Sequence, residues 1–348
     1  MMTGKERCLA VIGGEEPDRT PLFPLLMSFA ARYLGVSYRE FASDAHVLAE
    51  AQLRISEDFG VDAITVCSDA FRIAIDLGGE PVFPEESPPH LARPLVNRAA
   101  DMERLRRPDP RAKGSRMADR ISAAAELARS VGDRLLVLGW VDMPFAEACS
   151  VCGVSEFMML LYDDPIMAHA LLGFLTETVI DFALAQLEAG VPMIGAGDAA
   201  ASLLSAEHYR EFVLPYERLV VDSVHAAGGL LKLHICGSTR HLLADMIASG
   251  ADLFNVDHLV PFAMAVEVYG RAGRAFKGNL DPVADILQCD SIGCAKKARA
   301  LIAEARGTRY MLSAGCEIPP GVDVEVFRAF CEAVDEEPVG LPPVKILR

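Results

Sequence analysis

No run of about 18 apolar residues passes without a charge, so the sequence offers no obvious membrane-crossing helix. Its longest apolar region, Phe157 to Ile194, is broken by Asp163, Asp164, His169, Glu177, Asp181 and Glu188. An export leader is missing too: the apolar run from Cys8 to Ile12 is short and acids follow it. These absences set the expectation of a cytoplasmic protein without a membrane partner. Basic clusters are lacking. The formal net charge is −16, and the densest cationic piece is Arg104–Arg107, so no nucleic-acid partner is expected. The acidity permits an oppositely charged partner without naming one. Paired CxxC motifs are absent: the nine cysteines include one CxxC, Cys149 to Cys152, in an apolar stretch that reads as packing thiols. An odd count without a leader argues against a disulfide framework and for a metal or thiol role. Neither HExxH nor an HxE…PCxxC pattern occurs.

What is present is apolar material, 51% of the chain, arranged as short apolar runs alternating with amphipathic ones. The runs Pro21–Leu26, Ala63–Cys67, Leu135–Gly139, Met193–Ala196, Leu231–Cys236, Leu253–Val256, Ala275–Gly278 and Tyr310–Ser313 read as strands. Helical stretches separate them: Asp44–Phe59, Ser155–Tyr162, Pro165–Ala189, Ala206–Ala227, Arg240–Ser249, Ala295–Ala305 and Asp323–Val334. Gly190, Gly228 and Gly250 end several of these, where a left-handed cap fits. Strands buried on both faces and alternating with helices predict a parallel sheet. Eight of them at this length predict a closed (β/α)8 TIM barrel, because the first run is followed by MSFAARYL rather than by a Gly-rich dinucleotide fingerprint. The expected α/β architecture is one domain over residues 1–348. It carries an N-terminal extension and a long βα insertion at Pro81 to Pro110, which holds seven prolines.

A barrel places its chemistry at the C-terminal ends of the strands. Those ends carry Asp69, Asp142, Asp198, His234 with Cys236, Asp257 with His258, Asn279 with Asp281, and Cys316. In LKLHICGSTR, His234 and Cys236 stand two apart and project from one face of a strand. SAGCEIPP brings Cys316 to the same rim, so two thiolates and one imidazole could meet with a fourth position open, as catalytic zinc sites require. A lone buried Cys is more often inert core, and a lone His more often a hydrogen-bonded core residue. The case rests on three such residues reaching one rim. Asp198, in GAGDAA, is the candidate catalytic acid, with Gly195 and Gly197 leaving the backbone open to a ligand. Asp257 and Asn279 are candidate ligand- or cofactor-binding residues, and Glu317 stands within reach of the fourth metal position.

Two thiolates and one imidazole bring a zinc dication to zero formal charge. Such an ion suits a further sulfur better than a water, since a coordinated thiol loses its proton and becomes a nucleophile at neutral pH. Alkyl transfer to a thiol is expected over hydrolysis.

The chain resembles the uroporphyrinogen decarboxylase superfamily, and within it the zinc-dependent methylcobamide:thiol methyltransferase branch. The likeness runs through ERCLAVIGGEEPDRTPLFPLL with Asp18-Arg19, WVDMPFAEACSVCGVSEFMMLLYDDP, GDAAASLLSAEHYREFVLPY, LKLHICGSTRHLLADMIASGADLFNVD, FKGNLDP and AGCEIPPGV. HICG and GCEIPPG resemble the family's zinc motifs, which implies His234, Cys236 and Cys316 as metal ligands. The resemblance further implies a (β/α)8 barrel, zinc, a methylcobamide carried by a separate corrinoid protein, and a small thiol acceptor such as coenzyme M. On that basis Asp198 orients the acceptor or guides the corrinoid, with Asp257 and Asn279 as weaker candidates. The decarboxylase branch opens with an RQAGRYLPEY-like segment; here MSFAARYLGVSY keeps Arg32-Tyr33-Leu34 but places Ser28 where the first arginine would lie. A decarboxylase-type lyase acting on a tetrapyrrole is the alternative, and a non-catalytic corrinoid-binding barrel is a third. A thiol, a folate-type acceptor and any oligomeric state stay open at this point.

Overall fold

In the computed structural model, which describes residues 1–335, seven strands pair in parallel and in chain order. They are β1 (Ala63–Thr65), β2 (Leu136–Asp142), β3 (Met193–Gly197), β4 (Leu230–His234), β5 (Leu253–Asn255), β6 (Ala275–Leu280) and β7 (Tyr310–Ala314). Helical crossovers join them, as parallel neighbours demand. The last thirteen residues of the predicted 1–348 domain, 336–348, lie outside the described residues.

The predicted first strand, Pro21–Leu26, is not a regular strand but a pair of isolated bridges, Leu22 to Leu312 and Leu25 to Glu317. Pro21 and Pro24 each remove a backbone donor, which keeps a ladder from forming. The segment nevertheless bonds to both edges of the sheet. Phe23 N donates to Leu312 O at 2.9 Å, and Asp62 N, just ahead of β1, donates to Leu22 O at 2.9 Å. The architecture is thus a curled seven-stranded parallel sheet wrapped by helices, a TIM-barrel-like α/β fold. The proline-rich insertion is real and carries a small antiparallel ribbon, Pro81–Val82 with His90–Leu91.

Local signals explain most helix ends. Asp44 caps Ala45–Phe59 through the amides of His46 and Val47, and Gly60 closes it at φ 64°. The predicted Ala206–Ala227 helix is instead two helices, Ala206–Phe212 and Leu214–Ala226, because Pro215 cannot continue the first and opens the second. Arg240–Ser249 shrinks to Leu243–Ile247. Helices Gly4–Gly13, Arg116–Val131 and Phe262–Arg271 were not anticipated, although Thr3 and Ser115 cap the first two. Pro165–Glu188 is long and apolar enough by composition to cross a membrane, contrary to the expectation from its charges; 56% of its most apolar window is buried within the protein.

Inside the curl, the strands' lower ends form an apolar floor. Ala63, Leu136, Leu138, Met193, Leu253, Ala275 and Met311 pack around Phe23, and Cys8 and Val11 of helix Gly4–Gly13 cover them from below. Arg7 ties that helix to Asp18 and to Asp62, each at 2.6 Å, while Arg19 holds Asp62 at 2.8 Å. The Asp18-Arg19 pair of the opening motif is therefore a fastening beneath the sheet.

Candidate metal centre

Alternation along β4 sends Lys232 and His234 to the inside of the curl. The chain leaves the ladder after His234, and Gly237, at φ 93°, turns it so that Cys236 folds back over the imidazole. The ring is fixed by its Nδ1 lying 3.3 Å from Asn255 O, which leaves Nε2 free to face Cys236 Sγ at 3.0 Å. Eighty residues further on, β7 ends and Gly315 leads to Cys316. A Cβ on Gly315 would lie 2.4 Å from His258 N, so only glycine lets this loop pass the end of β5. Cys316 Sγ then stands 3.7 Å from Cys236 Sγ, and the three ligand atoms lie within 4.8 Å of one another.

Two free thiols at that distance are too far apart for a disulfide of about 2.05 Å. Two sulfurs bound tetrahedrally to one zinc at about 2.3 Å would be roughly 3.8 Å apart, which the observed spacing matches. The donor set fits zinc in kind as well as in spacing. The Cys316 thiol is depressed to about 3, first by the hydrogen bond from Cys236 and then by His234; the same bond and burial push Cys236 far upward. The two sulfurs and the imidazole thus converge on one point, an arrangement that a cation would complete.

Below the sulfurs lies a polar layer. Lys232 is fully buried, has no hydrogen-bond partner among the described residues, and sits 4.4 Å above the Trp140 ring. Burial lowers it to about 8. Lys277, also fully buried, donates to Phe23 O at 2.6 Å and to Ser313 Oγ at 3.1 Å. The two glycines of GAG have a specific use here. Trp140 lies over Gly195, where a Cβ would collide with the ring, and Asp142 Oδ1 stands 3.1 Å from where a Cβ on Gly197 would be. The space expected for a ligand at Gly195 is thus taken by Trp140.

The other predicted residues occupy different places. Asp257 has its Oδ2 on Gly237 N at 2.9 Å and its Oδ1 on Leu259 N at 2.8 Å, which steadies the loop that carries Cys236. Asn279 donates to Asp257 O and Val260 O and lines a cleft of about 410 Å³ with His258, Asp281 and Lys297. Glu317 accepts from Ser28 N, and burial raises it to about 7. Asp198 is fully buried. Its N donates to His234 O at 2.9 Å, while its Oδ1 accepts from Ala146 N at 2.8 Å in the first turn of helix Pro144–Cys152. Burial, with Glu217 beside it, pushes Asp198 well upward. Its carboxyl is not brought into the group formed by His234, Cys236 and Cys316. The CxxC thiols lie buried in that same helix, and burial raises both.

Several groups escaped sequence reasoning: Arg72, Glu147, Glu217, Lys232 and Lys277, all fully buried. A lysine two places ahead of His234 in an apolar strand was the available signal for Lys232. Arg72, inside the helix Arg72–Asp76, gave none. Its guanidinium pairs with Asp142, as that of Arg116 pairs with Asp69.

Residues 3–337 match the family model described as Uroporphyrinogen decarboxylase (URO-D). Among curated proteins, uroporphyrinogen decarboxylase of Rhodococcus opacus (strain B4) is 31% identical over 346 residues, covering 94% of each chain. That of Myxococcus xanthus (strain DK1622) is 26% identical over 356 residues, covering 97% of each. Among solved structures, a methyltransferase from Methanosarcina mazei superposes with a TM-score of 0.85 at 23% identity, covering 96% of this chain and 99% of that one. A B12-independent methionine synthase from Shewanella sp. W3-18-1 gives 0.55 at 12% identity, covering 84% and 85%. At these identities the two structures speak for the fold alone.

Proposed function

This chain belongs to the uroporphyrinogen decarboxylase family, and we propose that within it the chain is a zinc-dependent methyltransferase that moves a methyl group from a methylated corrinoid protein to a small thiol. The observation that carries this reading is the meeting of His234, Cys236 and Cys316 from two distant stretches of chain. A zinc ion held there would supply the positive charge that turns a bound thiol into a thiolate. His234 offers Nε2 because Asn255 O occupies the other side of its ring, and Asp257 holds the Cys236 loop in place. Asp198 acts through position, joining the end of β4 to helix Pro144–Cys152. Asn279 faces the neighbouring cleft, where part of the incoming corrinoid would rest. The acceptor sulfur attacks the methyl carbon of methyl-Co(III), the S–C bond forms, and the electron pair of the Co–C bond stays on cobalt as Co(I). The reading takes Pro21–Leu26 as the eighth stave of a closed barrel in one cytoplasmic domain.

A second reading, decarboxylation of a tetrapyrrole, is favoured by the names of the curated relatives. Nothing in it uses two cysteines and a histidine around one point. Purified protein separates the two. About one zinc per chain and zinc-dependent demethylation of methylcobalamin by a thiol are expected; full activity on uroporphyrinogen in metal-free protein would end the methyl-transfer reading.

A further inference from the structure

Resting on the thiol-acceptor reading above, we propose that the acceptor is an aminothiol, whose ammonium group is received by Asp142 while its sulfur goes to the His234–Cys236–Cys316 cluster.

The register of the sheet sets this geometry. Asp142 of β2 pairs with Gly197 of β3, and Gly197 pairs with His234 of β4. Two strand spacings put the Asp142 and His234 backbones about 10 Å apart. The position between them is a glycine, so no side chain fills the gap, and Asp142 Oδ1 leans over it at 3.1 Å from the place of the missing Cβ. One layer lower, at Gly195, Trp140 closes the gap, and the edge of its ring lies 3.6 Å beneath the place of a Cβ on Gly197. The upper position therefore leaves a carboxylate oxygen and the row of His234 on either side of a residue without a side chain.

The carboxylate is also presented in a particular way. Arg72 holds Oδ2 and is itself fully buried, which leaves Oδ1 as the oxygen beside Gly197. Asp142 keeps 8% of its surface exposed. Glu147, an acid near it whose oxygens have no partner, is fully buried, and two other acids of the mouth are occupied. Asp69 has its oxygens on Ser68 Oγ, Arg116 and Phe71 N, and Asp257 has both of its own on backbone amides. Arg116 donates to Ala42 O and to Asp69, and its Nε, like Nε and Nη1 of Arg72, is buried without a partner, so no exposed guanidinium donor is left for a sulfonate or carboxylate tail. An anionic tail at this spacing would meet a carboxylate oxygen, whereas an ammonium group would donate to it in a charge-assisted bond.

Three thiols of equal length test this: 2-aminoethanethiol, 2-mercaptoethanol and 2-mercaptoethanesulfonate. Each is titrated against the cobalt(II)-loaded protein, with the sulfur-to-metal absorption band as readout. The aminothiol should bind on the order of tenfold tighter than the sulfonate, with the alcohol between. Asp142→Asn keeps the side-chain volume and an oxygen for Arg72, and it should erase or invert that order. A sulfonate that binds as tightly as the aminothiol to the unmodified protein overturns the inference, and so does an unchanged order in Asp142→Asn. A protein that loads no metal, or shows the band with no thiol at all, overturns the thiol-acceptor reading and the inference with it.

Discussion

β2 carries Leu136 and Leu138 into the floor of the curl and Trp140 and Asp142 into its upper layers; β6 carries Ala275, then Lys277, then Asn279. The same strands thus build an apolar base and a polar mouth. The core of the base is apolar and is held by burial, a non-directional force that rewards close packing, with the Arg7, Asp18, Arg19 and Asp62 pairs fastening it from below. The mouth buries two lysines, the arginines Arg72 and Arg116 and several carboxyls, and each of these costs stability unless paired. Lys232 has only aromatic rings and no hydrogen-bond partner among the described residues, and both oxygens of Glu147 lack one, so the mouth is maintained against its own energetics. Stability and chemistry have been sorted to opposite ends of one sheet.

That separation can be broken or sharpened by measurement. The largest effect should come from Cys316→Ala, which removes one of the three proposed ligands: zinc per chain, read by elemental analysis, should fall from about one to near zero. Its thermal midpoint without metal should barely move. A variant that keeps its zinc would show that Cys316 is not a ligand.

Leu138→Ala attacks the other end. A buried leucine lost from the floor should cost roughly 3 kcal/mol in denaturant unfolding, with zinc stoichiometry unchanged. If zinc were lost along with stability, the two layers would not be independent.

Glu217→Gln probes the polar layer's cost. Burial raises Glu217 from 4.5 to about 7, while Tyr209 donates to it at 2.5 Å. Between those values the folded chain holds a proton that the unfolded chain has released, so stability falls as pH rises from 4.5 to 7 and stays lower above. The amide should flatten that slope and stabilise the protein at pH 8 by on the order of 2 kcal/mol. An unchanged slope in urea titrations at several pH values would count against a raised carboxyl.

The smallest effect is expected from Asp257→Asn, which weakens the acceptor for Gly237 N without removing a ligand. Zinc affinity, measured by competition with a chelator, should drop about tenfold with little change in folding. No change would mean that the Cys236 loop holds itself.

Much of this was legible in the sequence, because period and punctuation are local. The runs from Ala63 to Tyr310 read correctly as parallel strands to within a few residues, since strands buried on both faces leave continuous apolar stretches. Pro21–Leu26 misled because its composition suits a strand while its prolines deny it a ladder. The His234–Cys236 pair was visible from a spacing of two. Asp198 also looked like a mouth residue, since it follows a strand; its carboxyl instead finds the first-turn amide of a helix that starts 54 residues earlier. Arg72 left no trace, because nothing in its own helix reveals an acid on β2.

The sequence by itself determined which residues alternate and which end their strands, for backbone geometry ties those properties to near neighbours. Only the tertiary structure decided that Cys316 meets Cys236, that Trp140 fills one glycine gap, and that Asp142 overlooks the other. Those meetings depend on how far the sheet curls. The curl is set by side-chain packing summed over the whole domain, which no single stretch of chain records.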